Sequence, residues 1–404
     1  MGQRPARTWP GELARALKVL AEEEPDADLA ALAAQVGRFM LFSGQKDLAL
    51  ERLEQALDIA ERLALPETLS QAFNSKGVLL TSSGRAIEGL GLVRNALEIA
   101  LQHDKPSAAL RAYYNLADLS VQVDQAEESS QIAREGLAFA RRVGNRYWEW
   151  SFLGFAYPLF LLGDWNEVVA REAGLPNDDW TRVRIAFTTL LTPLVPVRVH
   201  RGELDEAQEL TRFFADLETS ADMQELAQVR LAEASLHFAA GRPDLALSCA
   251  QAALEAGASM GIAFEAVKEA VVIAVDSALA LDDVDHATEL LDMVDSLPVG
   301  HSPRYLRAQS ARFRARLAAR AGDRSAAQTS FESAIEMFRA LGYPFSLGVV
   351  LLEQAEWLAA AGDGTPAGVL LAEAGDIFAS LGARPWSGRV LLAQTPAPDI
   401  GLPG

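Results

Sequence analysis

The chain has 404 residues and a formal net charge of −19, with 36 Lys and Arg against 55 Asp and Glu. Half of the residues are apolar, which suits a large core and excludes general disorder, while 29 Gly and 18 Pro are too few for a collagen-like or low-complexity chain. The acidic balance argues against a nucleic-acid-binding surface, which needs clustered Lys and Arg. The single cysteine, Cys249, excludes an intramolecular disulfide and any Cys-based zinc or iron–sulfur cage.

The start, MGQRPARTWP, runs into LARALKVLAEEEP rather than an apolar stretch, so no signal peptide is expected. Residues 10–23, GELARALKVLAEEE, read as an amphipathic capping helix within an N-terminal segment of residues 1–26. The most apolar stretch, Ile185 to Val199, is too short to span a bilayer. These absences point to a cytoplasmic protein with no membrane partner.

From residue 27 onward a regular beat appears. Gly44, Gly84, Gly163, Gly202, Gly241, Gly322 and Gly362 stand about 40 residues apart, with Asp124 and Asp282 filling the two missing places. Five residues after each mark the side chain is small, as in Ala49, Gly89, Ser129 and Ala207. Seven before, it is small again, as in Gly37, Gly77, Ala117 and Ala234. Apolar residues on either side of each mark recur at helical spacing, so each unit reads as a helix pair turned at the mark, where a left-handed residue costs glycine nothing. Small residues on both helices allow their axes to approach closely. A second, weaker beat at Gly144, Gly261, Gly342 and Gly382 ends the second helix of a pair. Pro243 and Pro366 suit first turns, with Thr365 as a cap for the latter.

The pattern resembles the tetratricopeptide repeat over residues 27–385. The second repeat matches at Gly77, Gly84 and Ala96, with Gly89 for the usual Ala, and the eighth at Ala315, Gly322, Ala327 and Ala334 with Phe331 between. The resemblance implies an all-α fold, a right-handed α-solenoid of about nine helix-turn-helix repeats in one elongated domain. A C-terminal cap at 386–394 and a tail complete a segment of residues 386–404. Repeats of this longer kind are similar to the C-terminal regions of bacterial signal-transduction ATPases linked to LuxR-type regulators and adenylate cyclases. No GxxxxGK[ST] is present, so an ATPase, cyclase or DNA-binding effector is expected elsewhere.

The resemblance also places ligands on the first helices of the pairs. Counting 13, 10 and 6 residues back from each mark gives the groove columns. They read Arg38 in the first repeat, Asn74 in the second, and Arg111, Tyr114 and Asp118 in the third. Trp150 and Tyr157 stand in the fourth, Gln228, Leu231 and Ser235 in the sixth, Glu269, Val272 and Asp276 in the seventh, and Gln309, Arg312 and Arg316 in the eighth. Aromatic and Arg side chains at Arg111, Tyr114, Trp150 and Tyr157 suit a binding hot spot, and Asp118 adds a carboxylate to it. Asn74 stands where clamp-type family members hold a peptide carboxylate, but Ala34 replaces the Lys such a clamp needs. Arg38, Arg111, Arg312 and Arg316 among few acids favour a small anionic or polar ligand inside an acidic exterior. Irregularity is expected in the middle, where Pro193 and Pro196 would kink the first helix of the fifth repeat.

Catalytic motifs are missing: there is no GxSxG and no HExxH. His103, His200, His237, His286 and His301 never fall at metal-ligand spacing on one helix, although His200 and His237 could meet from neighbouring ones. The acidic runs at 177–179 and 282–285 suit helix capping. No catalytic residue, metal or cofactor is therefore expected. The reading is a non-catalytic sensor that takes a protein, peptide or small ligand in its groove. A pure protein scaffold is the alternative, and a closed α/α-toroid enzyme a remote one.

Overall fold

The computed structural model describes residues 18, 25–175, 180–215, 217 and 220–394. Apart from Lys18, the expected N-terminal capping helix, the acidic run at 177–179 and the tail beyond 394 lie outside the described residues. Among those residues the fold is all-α, with no strand. Helix pairs follow one another: α1 (Ala27–Phe42) with α2 (Lys46–Arg62), α3 (Pro66–Thr81) with α4 (Ala86–Gln102), and α5 (Pro106–Gln122) with α6 (Ala126–Arg142). The fourth first helix is split into α7 (Arg146–Gly154) and α8 (Tyr157–Leu162) before α9 (Trp165–Glu172). Then come α10 (Trp180–Arg201) with α11 (Leu204–Phe213), α12 (Met223–Ala239) with α13 (Pro243–Gly257), and α14 (Glu265–Ala280) with α15 (Val284–Asp295). The last pairs are α16 (Arg304–Arg320) with α17 (Arg324–Leu341) and α18 (Pro344–Ala360) with α19 (Gly364–Leu381), and α20 (Arg384–Gln394) follows.

All nine marks have positive φ, from 62° at Asp124 and Asp282 to 86° at Gly362. The second beat is also left-handed at its four glycines, and Ala64 (φ 50°) and Asp104 (φ 54°) fill two of its gaps, which sequence reading missed because neither is Gly or Asn. The small columns sit where helices touch. A Cβ on Gly77 would lie 2.6 Å from the carbonyl oxygen of Gly89, and one on Gly89 would lie 2.5 Å from that of Gly77. At the matching positions Ala49, Ala117, Ala234 and Ala315 are fully buried.

The split of the fourth first helix has a local cause. Pro158 has no N–H, and its ring opposes the carbonyl of Gly154, four residues back. Gly154 is also a tight crossing, since a Cβ there would stand 2.2 Å from the carbonyl oxygen of Ala186 on α10. The kink expected at Pro193 and Pro196 does not end α10, which runs unbroken for 22 residues. Its middle, from Ala186 to Val197, is wholly buried. Thr365 does not cap α19: the N-cap is Asp363.

The chain divides into two compact units, one of residues 1–121 with 131–149 and one of residues 122–130 with 150–404. In the first, Leu29, Ala33, Leu53, Ala56 and Leu57 form a core with Phe73 against it. In the second, the stack returns on itself. Pro344 and Phe345 at the start of α18, with Pro385 and Trp386 at the start of α20, dock on the turns at Gly163 and Gly202. A Cβ at those glycines would lie 2.8 Å from Pro344 and 3.3 Å from Pro385. Arg384 Nε donates to the carbonyl of Arg201 (2.9 Å), and Arg201 Nε donates to that of Leu381 (3.2 Å).

The glycines separate into two energetic kinds. Gly77→Ala should destabilise the first unit by about 2–3 kcal/mol through overpacking. Gly44→Ala, where the added Cβ meets open space, should cost about 1 kcal/mol for its left-handed backbone. Urea unfolding of the two variants measures the difference.

Candidate functional site

The return of the stack encloses a cavity of about 770 Å³ inside the second unit. Its walls are mainly first helices, with Leu204 and Phe331 added from second helices. The residues 13, 10 and 6 before the turn, Glu269, Val272 and Asp276 on α14 and Gln309, Arg312 and Arg316 on α16, all line it. Val349, Glu353 and Glu356 of α18 continue the wall, and Phe160, His200, Phe345 and Trp386 form an aromatic end where the ring closes.

Arg312 is the hub of the polar wall. It is 5% exposed. Its Nε and Nη2 donate to the two oxygens of Glu353 (2.8 and 2.7 Å), and Nη2 also reaches Asp276 at 3.2 Å. Arg316 donates to Asp276 and stands 3.5 Å from Glu353. Arg389 pairs with Glu356 at 2.5 Å. Burial would raise the Asp276 carboxyl, but the two guanidiniums hold it below its ordinary value. Burial likewise opposes the Arg312 charge, and its two carboxylates more than offset that. The expectation of arginines among few acids is therefore not met: four arginines (Arg312, Arg316, Arg320 and Arg389) face four carboxylates (Glu269, Asp276, Glu353 and Glu356), and the lining carries no net formal charge. Glu269 and Asp276 stand in the sequence-derived columns; Glu353 and Glu356, nine and six residues before the ninth turn at Gly362, lie on α18, beyond the repeats the columns covered.

Behind this wall lies a buried network. Tyr157 Oη donates to Glu269 Oε1 (2.6 Å), Tyr305 Oη donates to Glu269 Oε2 (3.0 Å), and Gln309 Nε2 donates to Tyr305 Oη (3.1 Å). Burial raises Glu269, with both phenols and Lys268 opposing; burial first, then Glu269, pushes both phenols well above their ordinary value. Lys268, fully buried, donates to Asp124 Oδ1 at 3.2 Å, and its ammonium lies 5.5 Å from the Tyr157 ring centre and 5.8 Å from that of Tyr305. Asp124 Oδ2 accepts from the backbone N–H of Tyr305 in the first turn of α16 (3.0 Å). Asp thus replaces Gly at the third mark because its carboxylate holds Lys268 and caps α16.

At the aromatic end, Trp386 Nε1 donates to His200 Nδ1 (3.3 Å), and the His200 ring centre lies 4.2 Å from that of Phe345. His200 therefore accepts at Nδ1. Burial lowers its pKa from 6.5 to about 3. Among the described residues no group of three potential metal ligands occurs.

The other sequence-derived candidates have these places. Tyr157 is buried at 1% exposure, behind the wall rather than on it. Trp150 is half-buried in the second unit. Arg111, Tyr114 and Asp118 are half-buried in the first unit, with Tyr114 5.6 Å from the Trp148 ring. Arg38 is exposed, and Asn74 is 2% exposed with Oδ1 unbonded. Gln228 and Leu231 are buried, while Ser235 reaches the cavity. Carrying the same count into the ninth repeat would have found Val349 and Glu356. Tyr305 and Phe345, each 17 residues before its turn, and Trp386 needed the ring closure to be seen. Cys249 is half-buried rather than buried. No helix among the described residues is long and apolar enough to cross a membrane.

The sequence matches no protein-family profile. It matches no curated protein either. Among solved structures, the apo form of the quorum sensor NprR from B. thuringiensis is 12% identical, with a TM-score of 0.41 over 91% of this chain and 93% of that one. A Rap protein complexed with Competence and Sporulation Factor is 12% identical, with a TM-score of 0.43 over 92% and 97%. The human IFIT1 dimer with PPP-AAAA is 12% identical, with a TM-score of 0.40 over 98% and 96%. The tetratricopeptide-type helical-repeat fold is read from the helix pairs themselves.

Two outcomes follow from the site. Lys268→Met leaves Asp124 charged and buried without its partner, and should destabilise the second unit by about 3 kcal/mol or more, measured by chemical unfolding. Because folding lowers the His200 pKa, the unfolded chain takes up this proton first, so its contribution is complete above pH 6.5 and is lost as the pH falls toward 3. His200→Phe should therefore show a smaller fall in urea midpoint between pH 6.5 and 4 than the parent chain.

Proposed function

We propose that the protein is a non-catalytic sensor that takes a peptide segment of a partner into the cavity of the second unit. The observation that carries this reading is the wall itself: a ladder of charged, internally paired groups beside an aromatic end, in about 770 Å³. Paired charges with no net sign suit a peptide, whose backbone offers donors and acceptors in alternation and whose side chains can fill the space against Phe345 and Trp386. A neutral wall offers little to a polyanion, because binding by counterion release needs unpaired cations. The resemblance to longer repeats of signalling ATPases supports a setting in which an ATPase, cyclase or DNA-binding partner reads the bound state in the cytoplasm. The solenoid of residues 27–385, with its C-terminal cap, is the sensing part.

The test is selection of peptides from a random display library on the full chain, followed by titration of purified hits with single-stranded RNA as control. Val272→Trp, which fills the cavity from a half-buried position, and Arg316→Ala should each weaken the hits by about thirtyfold or more while the helical circular-dichroism signal of the parent chain is kept. Hits that bind both variants as tightly as the parent chain would contradict the reading and favour a scaffold that binds partners on its outer helices.

A further inference from the structure

The cavity of the second unit carries no net formal charge, yet its hydrogen-bonding capacity is one-sided. Among the described residues, every carboxylate oxygen in its lining already accepts a bond. Glu269 takes one from each phenol, Tyr157 and Tyr305. Asp276 accepts from Arg312 at both oxygens, at 3.2 Å each, and from Arg316. Glu353 accepts from Arg312 Nε and Nη2, and Glu356 from Arg389 Nε (2.7 Å) and Nη2 (2.5 Å). A cationic side chain entering the cavity therefore meets no carboxylate that lacks a partner, so nothing repays its loss of water. Displacing one of the resident guanidiniums is no remedy, because that leaves a second buried charge unpaired.

The donors are not all spent. Arg316 uses only Nη1, on Asp276 and, at 3.5 Å, on Glu353, while its Nε and Nη2 have no partner among the described residues. At the aromatic end Trp386 fixes a second open donor. An indole N–H can only donate, so His200 Nδ1, 3.3 Å from Trp386 Nε1, accepts and carries no proton. Burial keeps the ring neutral by lowering its pKa to about 3, and a neutral imidazole with a bare Nδ1 bears its hydrogen on Nε2. That Nε2–H has no protein partner among the described residues, and unlike Tyr343 Oη it is not sealed in without one. One side of the ring is taken by Phe345, whose centre is 4.2 Å away. Since His200 lines the cavity, its open N–H faces that space.

We propose that the cavity selects by hydrogen-bond polarity: it takes a peptide segment that presents carbonyl oxygens to Arg316 and to His200 Nε2–H, and it excludes lysine and arginine side chains. This rests on the reading of the cavity as a peptide site. Backbone carbonyls and the amide side chains of Asn and Gln are neutral acceptors, and they meet both donors without disturbing the carboxylate pairs. Trp386 is a positioning residue in this scheme, because it sets which His200 nitrogen carries the proton.

Two measurements on the full chain test this. In the free protein, the imidazole nitrogen chemical shifts of His200, assigned by difference from His200→Phe, should show a bare Nδ1 and a protonated Nε2. Trp386→Phe, which removes the indole donor, should move those shifts toward the other tautomer. A parent chain with Nδ1 protonated overturns the proposal whatever the cavity binds. For binding, peptides selected on the full chain are remade with Gln and, separately, with Lys at each position in turn. In the stretch seated in the cavity, Lys should weaken binding by about thirtyfold or more and Gln by less than about threefold. His200→Phe, which keeps a flat ring but no donor, should weaken the parent peptides by about tenfold, the loss of one hydrogen bond. Peptides that tolerate Lys as well as Gln at every position overturn the proposal and leave the peptide reading standing. Failure to select any peptide removes that reading itself, and the proposal with it.

Discussion

The constraint on which everything else depends is the close approach of helices at the two small columns. Where Gly77 faces Gly89, or Gly154 faces Ala186, there is no room for even one more methyl group. This contact fixes the rotation of each first helix about its axis. Once that rotation is fixed, the positions 13, 10 and 6 before the turns of the seventh and eighth repeats fall on one face and line the cavity. In the seventh and eighth repeats the chemistry at those positions is therefore free to vary, whereas Leu231 and Tyr157 in the same columns are buried in the core.

In the second unit that freedom is used to build a polar wall that holds itself together. Arg312 would be costly to bury alone, and so would Glu353 or Asp276. Together they satisfy one another and are left with one open side, toward the cavity. Behind them the Tyr157–Glu269–Tyr305 cluster and the Asp124–Lys268 pair tie the fourth, seventh and eighth repeats to the third turn. The contact of His200, Phe345 and Trp386 forms the aromatic end of the cavity within the second unit. A segment bound there as proposed would rest against this contact and favour the state that holds it.

Much of this was legible in the sequence, because a repeat is a periodic signal. The nine turns, including the two at Asp, the small columns and the placement of Arg312 and Arg316 on a common face all follow from counting. What was not legible is non-periodic. The split at Pro158 depends on one residue breaking a helix that the pattern would continue. Tyr157 sits in a groove column, yet that break and the packing of α8 turn it into the core. Which acid pairs with which arginine across neighbouring helices is not set by the repeat, and the meeting of His200 with Trp386 joins residues 186 apart in sequence. No local pattern carries such a contact.

The central claim, that the cavity of the second unit is where a partner segment binds, is tested most directly by hydrogen–deuterium exchange of the full chain with and without a saturating selected peptide. The account predicts new protection concentrated at residues 269–276, 309–316 and 349–357, together with slower exchange at the closing contact around 384–390. Protection confined to the outer helices, such as 284–295 or 324–341, would contradict it.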